Sequence, residues 1–211
     1  MLRVWLPDRP GALGAVASRI GAVKGDVVGI EILETGSGQA VDELVVRLPD
    51  ATLLDLLVDE VRQVDGVAVE QIRHLPGTGH DTRLATLELT ARLVEAPDRE
   101  ELVTTCCELG AASLSAVWVA VVDRRDGRAV GRGGDAPADE WLAAFVHGAA
   151  SAASLGGADA GSSDVIWSAT PGADLAVVAG RDRIAWRERE RGQLDALGRV
   201  LASRWLELAP R

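Results

Sequence analysis

The sequence predicts an α+β protein with two domains, and its length, composition and hydrophobic periodicity carry this prediction. The chain has 211 residues, more than one domain usually needs, and 47% of them are hydrophobic, enough for packed cores. Segments with alternating apolar residues are interspersed with segments whose apolar residues recur every three or four positions, the periods of strands and helices. Residues 76–81 are rich in glycine and break every period, so we assign domains at 1–75 and 82–211 joined by a linker at 76–81.

The first block predicts the element order βαββαβ. Strands are expected at 2–6, 28–32, 41–48 and 67–74, with Leu44, Val46 and Leu48 on one face of the third. Asp50 is placed to cap the second helix. The buried helix faces are expected to be Leu13, Val16, Ala17, Ile20 and Val23 in the first helix, and Leu53, Leu54, Leu57, Val61 and Val64 in the second. This order predicts an antiparallel sheet with both helices on one face.

The second block predicts a mixed α/β domain that begins and ends with helices. Helices are expected at 84–94, 99–109, 140–153 and 186–208, and strands at 116–122, 128–130, 165–168 and 175–179. We expect a loop at 131–138 and a mobile, glycine-rich segment at 155–163. One face of the helix at 84–94 is formed by Leu84, Leu87, Ala91 and Val94. We expect the terminal helices to pack together and to leave apolar surface that pairs two subunits.

Charge and apolar content exclude several classes of partner. The net charge is −10 and no basic stripe is visible, so we expect no nucleic acid partner. No run of about 18 or more apolar residues is present, so we expect no membrane span. The start of the chain lacks the pattern of a secretory signal, which predicts a cytoplasmic protein. The adjacent Cys106 and Cys107 are expected to be small buried residues, since neighbours on a helix point about 100° apart.

The sequence shows no arrangement of residues typical of catalysis. None of His74, His80 and His147 lies near a serine turn or a metal-ligand cluster, and the glycines from Gly11 to Gly14 form only part of a dinucleotide motif. We therefore expect no enzymatic activity, no metal and no cofactor. The tryptophans are expected in cores or interfaces, and the alternative for Trp141 or Trp167 is a stacking surface for a planar ligand.

The loop Asp8-Arg9-Pro10-Gly11-Ala12-Leu13 carries the functional prediction. It lies between the first strand and the first helix, where a proline–glycine pair turns the chain sharply. Free backbone N–H groups at the positive end of a helix form a small anion site, about the size of one carboxylate.

This loop, the segment from Gly25 to Ile30 and the element order resemble an ACT domain. The resemblance implies a ferredoxin-like fold, binding of an amino acid, and pairing of two domains through sheets or helices with the ligand at the seam. It implies that the backbone N–H groups of Gly11, Ala12 and Leu13 bind a ligand carboxylate. The polar side chains facing the ligand would be Asp8 and Asp26. The remaining residues of the implied site are Arg9, Pro10, Val27 and Val28.

The chain departs from many amino-acid-binding members of this family, because it contains no asparagine. Asp26 occupies a position where asparagine is common, and a carboxylate there would hold a ligand ammonium group. The alternative roles are structural: Asp8 caps the first helix and Asp26 caps a turn.

The second block resembles a GAF domain. The similarity lies in the segment Ala96–Leu102, the strand Val117–Asp123 and the start of the last helix from Trp186 to Glu190. It implies a module that binds small molecules or dimerises.

Together these observations predict a regulatory protein that binds an amino acid or a similar small carboxylate. The ligand is expected at the seam of a homodimer, and the second domain is expected to dimerise or to signal to a protein partner. The alternative is an interaction module that binds no ligand.

Overall fold

A computed structural model describes residues 1–75, 82–154 and 164–209. The chain forms two compact units, one of Met1–Asp81 with Arg187–Arg189 and one of Thr82–Trp186 with Glu190–Arg211. The predicted linker at 76–81 and the glycine-rich segment at 155–163 lie outside the described residues.

The first unit has the predicted order of strands and helices. Its elements are β1 (Leu2–Pro7), α1 (Ala12–Ala22), β2 (Asp26–Gly36), β3 (Gln39–Arg47), α2 (Leu54–Arg62) and β4 (Ala68–Ile72), with a 3₁₀ turn Ala51–Leu53 before α2. Asp50, predicted to cap the second helix, caps the 3₁₀ turn that leads into it, since its side chain accepts a hydrogen bond from the Thr52 amide at 2.8 Å. The four strands form one antiparallel sheet in the order β2-β3-β1-β4, which leaves β2 and β4 at its edges.

The core of the first unit lies between one face of this sheet and both helices. Leu2 pairs with Leu44, and Leu6 with Ala40, so these side chains share the face on which α1 and α2 pack. The helices contribute the fully buried residues Val16, Ile20, Leu57 and Val61. The predicted arrangement of two helices on one face of an antiparallel sheet is confirmed.

The second unit is also mixed, with a second antiparallel four-stranded sheet. Its elements are α3 (Thr82–Glu95), α4 (Arg99–Leu114), β5 (Trp118–Asp123), β6 (Ala129–Gly134), α5 (Asp139–Ser154), β7 (Val165–Ala169), β8 (Leu175–Gly180) and α6 (Glu188–Glu207). The strand order is β6-β5-β8-β7. Leu142 and Val146 of α5 pack on one face of the sheet, whereas α3, α4 and α6 pack on the other.

The terminal helices of the second unit pack together, as predicted. Leu93 of α3, Leu102 of α4 and Leu201 of α6 belong to one core cluster, and each is completely buried. The side chain of Arg204 donates to the Ala96 carbonyl oxygen at 2.7 Å, and that of Arg99 donates to the Trp205 carbonyl oxygen at 3.0 Å. Both contacts hold the C-terminal end of α6, one against the turn between α3 and α4 and the other against the start of α4.

Two sequence predictions in this unit are wrong. The segment 131–138 is not all loop, because β6 continues to Gly134, where small residues let it pass close to α4. The buried face of α3 is Leu89 and Leu93, whereas Leu84, Leu87 and Val94 are more than half exposed. The buried residues and the exposed residues of α3 are both spaced with a helical period. Periodicity alone therefore did not show which of the two sets packs against α4 and α6.

Candidate functional site

The loop between β1 and α1 turns at a glycine with a left-handed backbone. Gly11 has φ 89° and ψ −13°, a conformation that side chains with a Cβ rarely adopt, and α1 begins at the next residue. The ring of Pro10 restricts its own φ angle, one residue before the turn. Asp8, Arg9, Pro10 and Gly11 are all exposed. The Pro-Gly pair therefore produces the sharp entry into the helix that the sequence predicted.

Several backbone N–H groups of this loop are used within the protein. The Ala12 amide, which the family resemblance assigns to a ligand, donates to the Arg9 carbonyl oxygen at 3.2 Å. Three more backbone amides donate to carbonyl oxygens of the protein: that of Asp8 to Gly38 at 3.0 Å, that of Arg9 to Pro7 at 2.8 Å and that of Ala15 to Gly11 at 2.9 Å.

Three N–H groups at the start of α1 remain available to a ligand. Among the residues that the structure describes, the amides of Gly11, Leu13 and Gly14 have no backbone or side-chain acceptor. The side chain of Asp8 accepts no hydrogen bond from these amides, so the role in capping the helix that was considered for Asp8 is not seen. These amides lie at the positive end of an 11-residue helix and suit a small anion.

A buried carboxylate near this loop was missed by sequence reasoning. Asp42 lies in the middle of β3 and is only 3% exposed. Its pKa is raised, first because burial disfavours the charged form and then because the charge of Asp8 repels it. The sequence pattern could have indicated this burial, because Asp42 occupies an apolar position of the alternating strand, between Ala40 and Leu44.

The structure places the other predicted site residues at the opposite end of the sheet. Asp26 pairs with Arg47 and Gly36 pairs with Gln39, whereas Gln39 also pairs with Pro7 at the start of the loop. The two ends of β3 are about 27 Å apart. Within one chain, the start of β2 and the loop therefore do not form one site.

Each of the three residues at the start of β2 has a different environment. Asp26 is exposed, and its carboxylate lies 3.9 Å from the Arg47 guanidinium. Val27 packs against the core, and Val28 is 42% exposed. The carboxylate of Asp26 therefore has a weak surface ion pair and no capping role in a turn.

The edge strand β2 exposes a row of aliphatic side chains. Val28, Ile30 and Ile32 are between 42% and 50% exposed. Register shifts lie between Val27 and Gly29 and between Ile32 and Glu34, so the stretch between these bulges pairs regularly with β3. A regular edge with exposed aliphatic residues is a surface on which another strand can pair.

The second unit contains an aromatic cluster. Trp141 is 44% exposed, stacks on Phe145 with ring centroids 5.3 Å apart and meets Trp118 edge-on. Cys106 and Cys107 are completely buried, as predicted, and burial raises the pKa of Cys107 to about 12. In the described ranges, no group of three or more histidine, cysteine, aspartate or glutamate residues is placed to hold a metal ion. No helix in those ranges is long and apolar enough to cross a membrane.

The order of elements and the loop at the start of α1 agree with a family match to the first unit. Residues 1–66 match the family model of the ACT domain. These residues are an ACT domain. The predicted resemblance and the predicted fold of this unit are confirmed, and ACT domains are typically regulatory and bind ligands.

Two solved structures are similar to part of the chain. Myxococcus xanthus MglB is 12% identical, with 65% of this chain and 98% of that chain covered and a TM-score of 0.40. A GAF domain from Pseudomonas syringae pv. tomato is 14% identical, with 60% of this chain and 85% of that chain covered and a TM-score of 0.37. At these TM-scores we draw nothing about function from either protein. No curated protein matches the chain.

Proposed function

We propose that this chain is a cytoplasmic regulatory protein whose ACT domain binds an amino acid or a similar small carboxylate. The observation that carries the proposal is the set of free amides of Gly11, Leu13 and Gly14 at the start of α1. Such amides stabilise a carboxylate with fixed N–H dipoles, and the positive end of the helix adds to the attraction. The left-handed Gly11 supports this, since the chain turns there and α1 begins at the next residue, directly after the exposed loop.

A homodimer paired through β2 would complete the site. A twofold axis near the middle of β2 places the two β2 strands antiparallel, each extending the sheet of the other. The start of β2 in one copy then lies beside the end of β2 in its partner, next to the partner's β1–α1 loop. This pairing brings Asp26, Val27 and Val28 to the loop, from which they are separated within one chain.

The coupling between ligand and pairing makes this an allosteric function. A ligand held by both copies stabilises the dimer relative to the monomer, and the dimer in turn binds the ligand more tightly. The second unit would dimerise further or transmit the state to a protein partner. We propose no enzymatic activity for the chain.

Thermal unfolding of the full chain in the presence of each of the twenty amino acids tests the proposal. We expect at least one of them, at millimolar concentration, to raise the midpoint of unfolding, because a ligand that binds only the folded state stabilises it. If none of them changes the midpoint, the chain is not an amino acid sensor. The alternative function, an assembly module without a ligand, then accounts for the exposed row on β2.

The variant Gly11→Leu separates the two functions. Leucine at this position would force a residue with a Cβ into a left-handed backbone and should distort the loop, so a sensor should lose ligand binding while it remains dimeric. An assembly module should show only a change in stability. Gly21→Leu is the control, because Gly21 lies within α1 and an added Cβ would likewise meet no other atom within 4 Å.

A further inference from the structure

Three residues from the later part of the chain belong to the first unit. Arg187–Arg189 group with Met1–Asp81, whereas Trp186 and Glu190, their neighbours in the chain, belong to the second unit. We call Arg187–Arg189 the strap. Although arginine is usually a surface residue, Arg187 is only 8% exposed. A charge buried to this extent needs partners, and the first unit supplies them.

The face of the first sheet that lies opposite the helices carries these partners. Glu34 and Trp5 both pair with Val41, so the three side chains lie on one face of the sheet. Leu6 and Ala40, the next pair along β1 and β3, belong to the core beneath the helices. Because successive residues of a strand alternate between faces, Trp5 and Val41 face away from that core.

Arg187 is bound by an aromatic ring and two carboxylates. Its guanidinium carbon lies 4.6 Å from the centre of the Trp5 ring, the geometry of a cation–π contact. It forms an ion pair with Glu70, and its Nη1 atom lies 3.6 Å from a carboxylate oxygen of Glu34. The indole N–H of Trp5 donates to the carboxylate of Glu70 at 3.1 Å. The ring, the carboxylates and the guanidinium thus form one connected cluster that neutralises the buried charge.

Two of the carboxylates that bind the strap belong to the edge strand β2. Glu31 forms an ion pair with Arg189 at 2.6 Å, and Glu34 lies beside Arg187. Residues three apart in a regular strand point to opposite faces, but a register shift between Ile32 and Glu34 adds one residue to β2. The bulge therefore turns Glu31 and Glu34 to the same face, where both meet the strap.

The same strand carries the surface proposed for pairing of two copies. Ile30 and Ile32 alternate with Glu31, so the aliphatic row and this carboxylate lie on opposite faces of β2. A twofold axis near the middle of β2 (Asp26–Gly36) passes close to Glu31, so the two copies of Glu31 lie opposite each other. Like charges directly opposite in neighbouring strands destabilise the pairing. Pairing through β2 therefore needs a positive charge beside Glu31, which Arg189 supplies.

The strap also leads directly into α6. Its last two residues are the first two of that helix, and the residues on both sides of the strap are fixed in the second unit. The Arg181 guanidinium carbon lies 3.8 Å from the centre of the Trp186 ring, and Arg181 donates to the Glu190 carboxylate at 2.8 Å. Trp186 is 3% exposed and Glu190 is 6% exposed. A change at the strap therefore reaches α6 through the chain itself.

We propose that the strap controls pairing of the ACT domain by neutralising Glu31 and Glu34 at the seam. This inference rests on the pairing through β2 in the proposed function. With the strap bound, two β2 strands approach without repulsion between their carboxylates. With the strap released, the carboxylates of the two copies repel each other and the dimer weakens. Linkage requires the converse: pairing retains the strap on the sheet, and a ligand that favours the dimer orders the start of α6.

The first test is the dissociation constant of the dimer in Arg189→Gln, measured on the full chain by sedimentation velocity. We expect it to rise about three- to tenfold, because the positive charge beside Glu31 is lost. The double variant Arg189→Gln with Glu31→Gln should regain the value of the unaltered chain, since it also removes the repelling carboxylate. Loss of structure at the strap would not be rescued in this way. A weakening that Glu31→Gln does not reverse would overturn the proposal, as would an unchanged constant in Arg189→Gln.

The control is Arg62→Gln on α2. Arg62 is exposed and lies 3.9 Å from Asp59, so the control removes one positive charge from the same domain without touching β2. We expect it to leave the dissociation constant unchanged. An unaltered chain that stays monomeric, or whose dimer is unaffected by Ile30→Arg, would reject pairing through β2 and the proposal with it. A dimer that depends on Ile30 but not on Arg189 would reject only the role of the strap.

The second test follows the strap itself by hydrogen exchange and mass spectrometry. We expect the amides of residues 187–194 to exchange more slowly at protein concentrations at which the chain is dimeric than after dilution to the monomer, because pairing retains the strap. The amides of residues 99–106 in α4 serve as the reference and should exchange equally in both states. Equal exchange of residues 187–194 in the dimer and the monomer would overturn the proposal, since the strap would then not respond to pairing.

Discussion

At the scale of single residues, the first unit has unusual positions at Gly11 and Asp42. Gly11 adopts a left-handed backbone, and an ideal Cβ built there meets no atom within 4 Å, so a side chain would be disfavoured by the backbone alone. Asp42 is disfavoured by its surroundings, because a buried carboxylate without a partner loses its hydration. Asp42 therefore lowers the stability of the domain, whereas Gly11 is the residue that its left-handed backbone favours.

Gly11→Ala should lower the free energy of unfolding by about 1–2 kcal/mol, the cost of a left-handed conformation for a residue with a Cβ. Gly21→Ala, within α1 and equally free of steric contact, should instead raise it by up to about 1 kcal/mol. Urea unfolding of the two variants and the unaltered chain measures both values. Equal effects of the two substitutions would show that the backbone at Gly11 imposes no strain.

The stability gained by Asp42→Asn should depend on pH. The folded state raises the pKa of Asp42 above its ordinary value of 3.8, so in the range above that value the folded state binds more protons than the unfolded state. Ionisation of Asp42 therefore lowers the free energy of unfolding as the pH rises from 3.8 through the raised pKa. The variant should be more stable than the unaltered protein at pH 7, and the difference should disappear as the pH falls to the ordinary value. Urea unfolding at several pH values checks this, and a difference independent of pH would contradict it.

At the scale of elements, β2 and α3 both expose apolar residues. On β2 the exposed residues lie on an edge strand with regular pairing between two bulges. On α3 the exposed Leu84, Leu87 and Val94 lie on a helix whose buried face is already filled by Leu89 and Leu93. An open strand edge offers backbone hydrogen bonds as well as apolar contact, so the pairing that we propose for the ACT domain uses β2.

Ile30→Arg should weaken the dimer, because two guanidinium groups would meet near the twofold axis where the strands pair. The folded monomer should be affected little, since Ile30 is already 45% exposed. Leu56→Arg is the control, with a similar exposure of 48% on α2. Sedimentation velocity at several protein concentrations measures the association. A loss of dimer in the control but not in Ile30→Arg would assign pairing to the helices instead.

At the scale of the whole molecule, the described chain consists of two units with separate cores. The core of the first unit lies between its sheet and two helices, whereas that of the second lies on both faces of a second sheet. Regulation by such a protein requires that ligand binding changes an equilibrium that the rest of the chain shares, and pairing of copies is the equilibrium that we propose.

An amino acid that binds the unaltered chain should strengthen dimerisation, and dilution of the protein towards the monomer should weaken binding of the amino acid, because linkage makes the two effects reciprocal. Sedimentation equilibrium with and without the amino acid measures the first effect, and calorimetry at two protein concentrations measures the second. Equal affinity of the amino acid for the unaltered chain and for a monomeric Ile30→Arg variant would show that the ligand is not held at a seam.

The sequence by itself determined the order of elements in the ACT domain and the position of its loop. Strand alternation, the helical period and the cap at Asp50 depend on residues close in the chain. They can therefore be recognised without knowledge of tertiary contacts. The bend at Pro10 and Gly11 is equally local, because it follows from the restricted backbone of one residue and the free backbone of the other.

Only the tertiary structure decided which side chains are buried, paired or exposed. It placed β2 at an edge, separated Asp26 from the loop and left the Asp42 carboxylate without a partner. It also showed that the Ala12 amide is used within the protein, whereas that of Gly14 is free. Burial and hydrogen bonding across a sheet depend on residues far apart in the chain, so no pattern within one segment determines them.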